Sequence, residues 1–333
     1  MIRAGFGLTV RIVDAEVIRA NVGFEELIDP VSRAFTESSA GLADNGLVIM
    51  YPGEHRELGD VYVKTGTLRG HDVHIVKVSP WFRSNVEREQ PQGGFVGVFD
   101  SHTGQAVALL SEEHYLSDIR TAAAGALSAR MLAPSNVETA AVLGAGVQSY
   151  WQPLALYRER PFTTLVIWAR SLPKAHQLKT QLSGKLPGVD IVCSSDIEST
   201  VRGADVLITA TPAREPLVQG AWLHEGQHIT AVGADDPTKC ELDATALRRA
   251  RVFVDAREAA AANGDIHRAI CAGRYSIEEL SGELGEVISG QTAGRTSDDD
   301  ITIAKLVGIG AQDLVAAEVT LSRLSIERTS LDP

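Results

Sequence analysis

The 333-residue chain is poor in cysteine: only Cys193, Cys240 and Cys271, odd in number and far apart. Such a set suits neither a disulfide framework nor a zinc site, and it fits a reducing, cytoplasmic setting. No apolar run approaches the roughly 20 residues of a membrane span. The N-terminus lacks a charged segment followed by an apolar one, so no secretory signal is expected. Positive charge is also short, 31 Lys and Arg against 43 Asp and Glu for a formal net charge of −12. With no basic stripe or tail, a nucleic-acid partner is not expected. His224, His228 and His267 have no metal-like spacing to cysteine or carboxylate, so they read as structural or surface residues and no metal is expected. What remains is an ordinary globular mixture, 44% hydrophobic and 22% charged, long enough for two domains.

The chain is organised around Glu138 to Tyr150 (ETAAVLGAGVQSY). Thr139 to Leu143 is short, apolar and suited to a strand buried on both faces. Gly144-Ala145-Gly146 follows, and Val147 to Arg158 can continue as a helix. A strand that turns tightly into a helix N-terminus aims free N–H groups and the positive dipole end at one spot, where a pyrophosphate fits. Gly144 would permit the turn and Gly146 the close approach, while Ser149 stands where a third fingerprint glycine is usual. The same pattern also describes an ordinary strand–helix turn. Pro153 inside the helix should kink it or delay its start.

Leu165 to Trp168 reads as the next strand, giving a βαβ unit. The residues after it choose the dinucleotide. An NAD unit usually places Asp or Glu there for the ribose hydroxyl. Here Ala169-Arg170-Ser171 follows, with Lys174 one turn on, so a 2′-phosphate would meet a guanidinium and a hydroxyl and no carboxylate. NADP(H) is therefore favoured, with NAD(H) possible; alternatively Arg170 is a solvated loop charge.

Upstream, Glu25 to Ser38 has helical apolar spacing with Pro30 in its first turns. A β-rich region follows: Leu47–Tyr51, Asp60–Thr65, Val73–Val78, Phe95–Asp100 and Ala106–Ser111, the last two joined by a hairpin turn at Asp100 to Gly104. Ser84 to Gly94 reads as an exposed loop. Asp118 to Leu132 is an alanine-rich helix that Ser117 or Asp118 can cap and Pro134 ends. From Thr139 to Asp255 strand and helix alternate, with strands at Ile191–Cys193, Val206–Thr211, His228–Val232 and Val252–Asp255. That is a doubly wound parallel sheet. A small-residue helix from Gly310 should pack back on the first domain.

Several stretches together resemble the ornithine cyclodeaminase/mu-crystallin family. They are Ile119 to Ala124 (IRTAAA), Val142 to Gln148 (VLGAGVQ), Gly203 to Thr211, Gly226 to Asp235, Glu283 to Gly290, Gly294 to Ser297 and Gly310 to Asp313. Their order is consistent over most of the chain from about residue 75. Ile75 to Pro80 and Ser117 to Ala126 look most like an ectoine-utilisation cyclodeaminase-like branch. The resemblance implies an α/β fold: a Rossmann-type doubly wound parallel sheet (residues 119–304) plus an α+β dimerisation and substrate domain built from both chain ends (1–118 and 305–333). It implies a homodimer and nicotinamide chemistry at the carbon–nitrogen bond of a small amino or imino acid.

That chemistry needs cations for the carboxylate, an acid/base at nitrogen and a site closed to solvent. Lys77 matches the family's carboxylate-binding lysine; by spacing alone it is an exposed strand lysine. Arg120, at a helix start where a cation is disfavoured, matches the carboxylate-binding arginine; alternatively it bridges Asp118. Thr121 resembles the threonine beside the cofactor phosphates, or is a cap. Asp235, after the strand Ile229 to Gly233, aligns with the aspartate that moves a proton at nitrogen, although Asp235-Asp236-Pro237 is also a good turn. Asp236 beside it could raise one of the two pKa values, and Lys239 could hold Asp236. Thr209, Ala210, Thr211, Val232 and Gly233 should run past the ribose and nicotinamide.

Two departures stand out: Tyr51 occupies the position where many members carry a third carboxylate-binding arginine, and Lys305-Leu306-Val307-Gly308 replaces Lys-Ser-x-Gly. Both make ornithine itself doubtful. The expected activity is an NADP(H)-dependent imine or ketimine reductase or amino-acid dehydrogenase. The alternatives are a cyclodeaminase that recycles its cofactor and a crystallin-like NADPH-binding protein without turnover. Lys77, Arg120 and Asp235 are expected to serve one substrate.

Overall fold

The computed structural model describes residues 10–55, 58–88 and 92–326. Two compact units result, one formed by the chain up to Arg120 together with Ile309 onward, the other by Thr121–Gly308. Each unit is built round one sheet. The expected exposed loop at Ser84 to Gly94 instead begins as the short helix Arg83–Glu87. The Gln92 amide closes the segment, accepting from Phe82 N and donating to Phe82 O.

The first unit holds β1 (Arg11–Asp14), β2 (Ala43–Met50), β3 (Gly59–Leu68), β4 (Val73–Phe82), β5 (Phe95–Asp100) and β6 (Ala106–Ser111). Their order is β1-β6-β5-β4-β3-β2, antiparallel except for the parallel β1–β6 pair. The helix Ile28–Ser39 buries Ile28, Val31, Ala34 and Phe35. The terminal helix Gly310–Arg323 packs on it and on β2, β3 and β4, as expected for a helix returning to the first domain. Gly66 on β3 and Gly310 touch backbone to backbone, so a side chain on either would collide with the other. This brings the first turn of the terminal helix close to the sheet.

Side chains alternate along a strand, and on β4 the buried series runs Val73, Ile75, Lys77, Ser79. A lysine therefore occupies a core position. On β3 the matching face carries Lys64, Gly66 and Leu68, and Lys64 lies directly opposite Lys77 in the register. Like charges so placed repel, and the strand pair needs a counter-charge from elsewhere.

The second unit holds β7 (Thr139–Leu143), β8 (Thr164–Trp168), β9 (Asp190–Ser194), β10 (Val206–Thr209), β11 (His228–Ala231), β12 (Arg251–Val254), β13 (Gly282–Glu283) and β14 (Thr302–Lys305). The sheet is wholly parallel, in the order β13-β12-β14-β11-β10-β7-β8-β9. From β7 the chain goes out to β8 and β9, then returns to β10 on β7's other side. The strand order reverses there, and such a reversal opens a crevice at the carboxyl ends of the strands. β10, β11 and β14 are buried at every position.

Three expectations need correction. The helix before Pro134 starts at Tyr115, not Asp118, because Glu112 caps it: its carboxylate accepts from Ser117 N and Oγ. Arg120 consequently sits beyond the first turn. The strand at Val206 ends at Thr209, since Thr211 N turns to the Glu241 carboxylate. Pro153 lies buried inside the helix Val147–Glu159, which starts directly after Gly146.

Candidate active site

In the first unit, Lys77 donates from Nζ to Asp313 Oδ1 at 2.9 Å and to Ser117 Oγ at 2.7 Å. Ser117 Oγ in turn donates to Glu112 Oε1 at 3.2 Å. Arg120 donates only Nε to the same Asp313 oxygen, at 3.0 Å. Its terminal amino groups have no hydrogen-bond partner among the described residues. All five residues are buried, and so is Lys64. Burial would raise the Asp313 pKa, but Lys77, Arg120 and Lys64 outweigh it and hold the carboxyl far below the usual carboxylate range. Lys77 and Arg120 thus share one oxygen of one carboxylate, and Arg120 has donors left over for a further anion. That is the chemistry of a carboxylate receptor.

The stretch before the long helix borders this group. Glu113 and His114 both adopt left-handed backbone, φ 50° and 67°, an uncommon conformation for residues with side chains. His114 Nε2 lies 2.8 Å from Pro80 O. Burial lowers its pKa, and Lys77 and Arg120 add to that against the opposing pull of Glu112. Tyr51 is half-buried, the first residue past β2.

In the second unit the glycine turn takes the expected form. Gly144 has φ +127°, donates to Trp168 O at 2.8 Å, and would meet Ser149 Oγ at 2.7 Å if it carried a Cβ. Only glycine suits that place. A Cβ on Gly146 would face open space, and Val147, which opens the helix, is 53% exposed. Ala145, Gly146, Val147, Tyr150, Lys174 and Gln177 line a cleft of about 580 Å³. Gln148 and Gln152 share a hydrogen bond, and Gln152 also donates to Thr121 O at 2.9 Å. Ala169 is half-buried and Arg170 exposed at the end of β8. Ser171 starts the helix Leu172–Ser183 with no side-chain cap bond. This concave backbone with an empty Cβ direction fits a dinucleotide diphosphate.

Thr209 and Thr211 do not turn their hydroxyls toward the cleft. Both donate to Glu241, which also accepts from Thr211 N and Gly233 N. Fully buried Glu241 ties the ends of β10 and β11 together; burial, reinforced by Asp265, raises its pKa. Asp265 accepts from Leu242 N and lies 3.2 Å from buried Lys305. Asp255 accepts from Val307 N and Gly308 N. Ala210 and Val232 complete the two strand ends.

Asp235 is partly exposed and its Oδ1 accepts from Lys239 Nζ at 2.6 Å. Asp236 is buried and spends Oδ1 on Thr238 N, Thr238 Oγ1 and Lys239 N. The two neighbours therefore divide the work: Asp236 makes the turn and presents Asp235. The histidines read as structural are so placed, His228 between Thr302 and Thr230, with burial and Arg295 taking its pKa down to about 3.

Sequence reasoning singled out Lys77 and Arg120, which meet on Asp313, but missed Asp313, Lys64 and Glu241. A lysine falling on the apolar beat of each of two hairpin-linked strands was the available signal. Among the described residues no three His, Cys, Asp or Glu are grouped as a metal site, and no helix is long and apolar enough to cross a membrane.

This geometry has counterparts. A solved Δ1-pyrroline-2-carboxylate reductase of Thermococcus litoralis, in complex with NADH and L-proline, superposes with a TM-score of 0.89 at 27% identity, covering 95% of this chain and 98% of that one. An archaeal alanine dehydrogenase dimer with bound NAD gives a TM-score of 0.87 at 29% identity over 95% and 96% of the two chains. In sequence, an uncharacterized cyclodeaminase of Sinorhizobium fredii is 41% identical over 268 residues, 80% of each chain. The description of the ornithine cyclodeaminase/mu-crystallin family matches residues 10–327, and the chain belongs to that family.

Proposed function

We propose that this chain is a nicotinamide-dependent oxidoreductase that reduces the carbon–nitrogen double bond of a small imino acid, or oxidises the matching amino acid. The observation that carries the reading is the buried cation group: Lys77 and Arg120 converge on one aspartate oxygen, and Arg120 keeps its terminal N–H groups for a guest. These groups hold the substrate carboxylate, with Tyr51 in the place of a third cation. Asp235, with Lys239 beside it, moves a proton at the substrate nitrogen. Thr121, Gly144, Ala145, Gly146, Val147 and Gln148 hold the diphosphate, and Thr209, Ala210, Thr211, Val232 and Gly233 border the ribose and nicotinamide. A bound dinucleotide supplies or accepts the hydride.

Exposed Arg170, with Ala169 and Ser171 and no carboxylate after β8, favours NADP(H), although the two solved relatives hold NADH and NAD. The dimeric alanine dehydrogenase supports a homodimer here. A second reading, ammonia release from a diamino acid with a recycled cofactor, draws on the 41% identical cyclodeaminase.

The test is NADPH fluorescence, followed by its decay with a panel of 2-oxo acids plus amines and of cyclic imino acids. Turnover should be lost in Asp235→Asn while NADPH binding is kept. Activity surviving that change overturns the acid/base assignment. Ammonia release without NADPH consumption selects the second reading, and binding without any decay shows a protein without turnover.

A further inference from the structure

We propose that Asp313 is a positioning residue that holds Lys77 in place and keeps Arg120 aimed at the substrate; this rests on the carboxylate-receptor reading above. Lys64 and Lys77 lie opposite one another on β3 and β4, both buried, with Arg120 close by. Like charges so placed push apart. Asp313 Oδ1 draws two of the three cations together, at 2.9 Å from Lys77 Nζ and 3.0 Å from Arg120 Nε.

Three features place that oxygen. Gly66 and Gly310 let the terminal helix approach β3 backbone to backbone. Asn45 Oδ1 accepts from Ala311 N at 2.8 Å and holds the first turn. Asp313 lies in that first turn, where the helix dipole favours an anion. By engaging Arg120 through Nε alone, Asp313 fixes the guanidinium plane and leaves its terminal amino groups for a guest. The other charged or titratable groups at Lys77 are Glu112, reached through Ser117, and His114, whose pKa burial lowers. Neither touches Lys77 Nζ directly.

Asp313→Asn keeps the shape and removes the charge. The experiment measures calorimetric binding of pyrrole-2-carboxylate, a planar carboxylate that resists reduction, to the NADPH-loaded chain. Asp313→Asn should bind the probe about tenfold or more weakly than wild type, while NADPH affinity is unchanged. Asp313→Glu, which restores the charge at a shifted position, should regain part of that loss but bind the probe several-fold more weakly than wild type.

Equal probe affinity in wild type and Asp313→Asn overturns the inference alone, because the receptor then works without the carboxylate. No binding to wild type overturns the receptor reading and the inference with it. If Asp313→Asn yields no folded protein, Asp313→Glu decides: equal probe affinity to wild type overturns the proposal, and weaker probe binding with intact NADPH binding supports it.

Discussion

The two units bury charge in opposite ways. The first places three cations, Lys64, Lys77 and Arg120, against two carboxylates, Asp313 and Glu112. The second buries three carboxylates, Glu241, Asp265 and Asp255, with Asp265 3.2 Å from Lys305. In the second, the acceptors meet backbone N–H groups and hydroxyls at the strand ends: four donors on Glu241, two on one Asp255 oxygen. In the first, Asp313 Oδ1 takes both Lys77 and Arg120; among the described residues its Oδ2 takes no hydrogen bond and the Arg120 terminal amino groups have no hydrogen-bond partner. A buried network tied into the backbone stiffens a fold, whereas cations with donors left over can take a ligand. Burial of charge is the same in both; what the charges are tied to tells scaffold from receptor.

The sharpest way to break this contrast is Glu241→Ala. It strands two buried N–H groups and two hydroxyls, at a cost of about 3–5 kcal/mol in stability. That should lower the unfolding midpoint of the second unit by roughly 10 °C in calorimetry. A shift under about 2 °C would show that the network is not what holds β10 to β11.

Arg120→Lys comes next. The charge stays but the fork is lost, so kcat/KM for a cyclic imino acid should fall roughly 10- to 100-fold, with little change in the unfolding midpoint. A stability loss with unchanged kinetics would make the first cluster scaffold like the second. Arg170→Gln probes the exposed cation after β8: NADPH affinity should fall about tenfold while NADH affinity holds. Equal losses for both cofactors would remove the case for the 2′-phosphate.

The smallest effect concerns His71, whose ring lies between Glu318 (2.8 Å) and Glu37 (2.9 Å) and so ties the terminal helix to the helix Ile28–Ser39. Burial lowers its pKa, but the two carboxylates prevail and raise it above the ordinary value. A raised folded pKa means that the contribution is complete below the unfolded value of about 6.5 and is lost as pH climbs through the folded one. Denaturant melts should therefore lose under about 1 kcal/mol across that window, and His71→Gln should flatten the slope.

How much of this was legible beforehand follows from the range of each signal. The β7 strand, its glycine turn and the Arg170 position are written in consecutive residues, so periodicity and turn chemistry suffice. Lys77 and Arg120 needed the family resemblance, because a lone strand lysine reads as exposed until Val73 and Ile75 are seen buried on the same face. β14 escaped because Thr302–Lys305 is four residues long and ends in a lysine whose burial depends on Asp265. Asp313 escaped for a related reason: its partner Lys77 lies 236 positions away. The helix start at Tyr115 was hidden by a cap drawn from Glu112 and not from the adjacent serine or aspartate.

The discontinuous first unit has a consequence for synthesis. Thr121–Gly308 is one unbroken stretch and can fold as it leaves the ribosome. The sheet before it carries Lys64 and Lys77 face to face, and the counter-ion of Lys77 is encoded 236 residues later. Until Asp313 has been translated, that hairpin has reason to stay loose or to be sheltered by a chaperone, so a ribosome stalled before residue 313 should display protease-sensitive β3–β4 beside an already resistant parallel sheet.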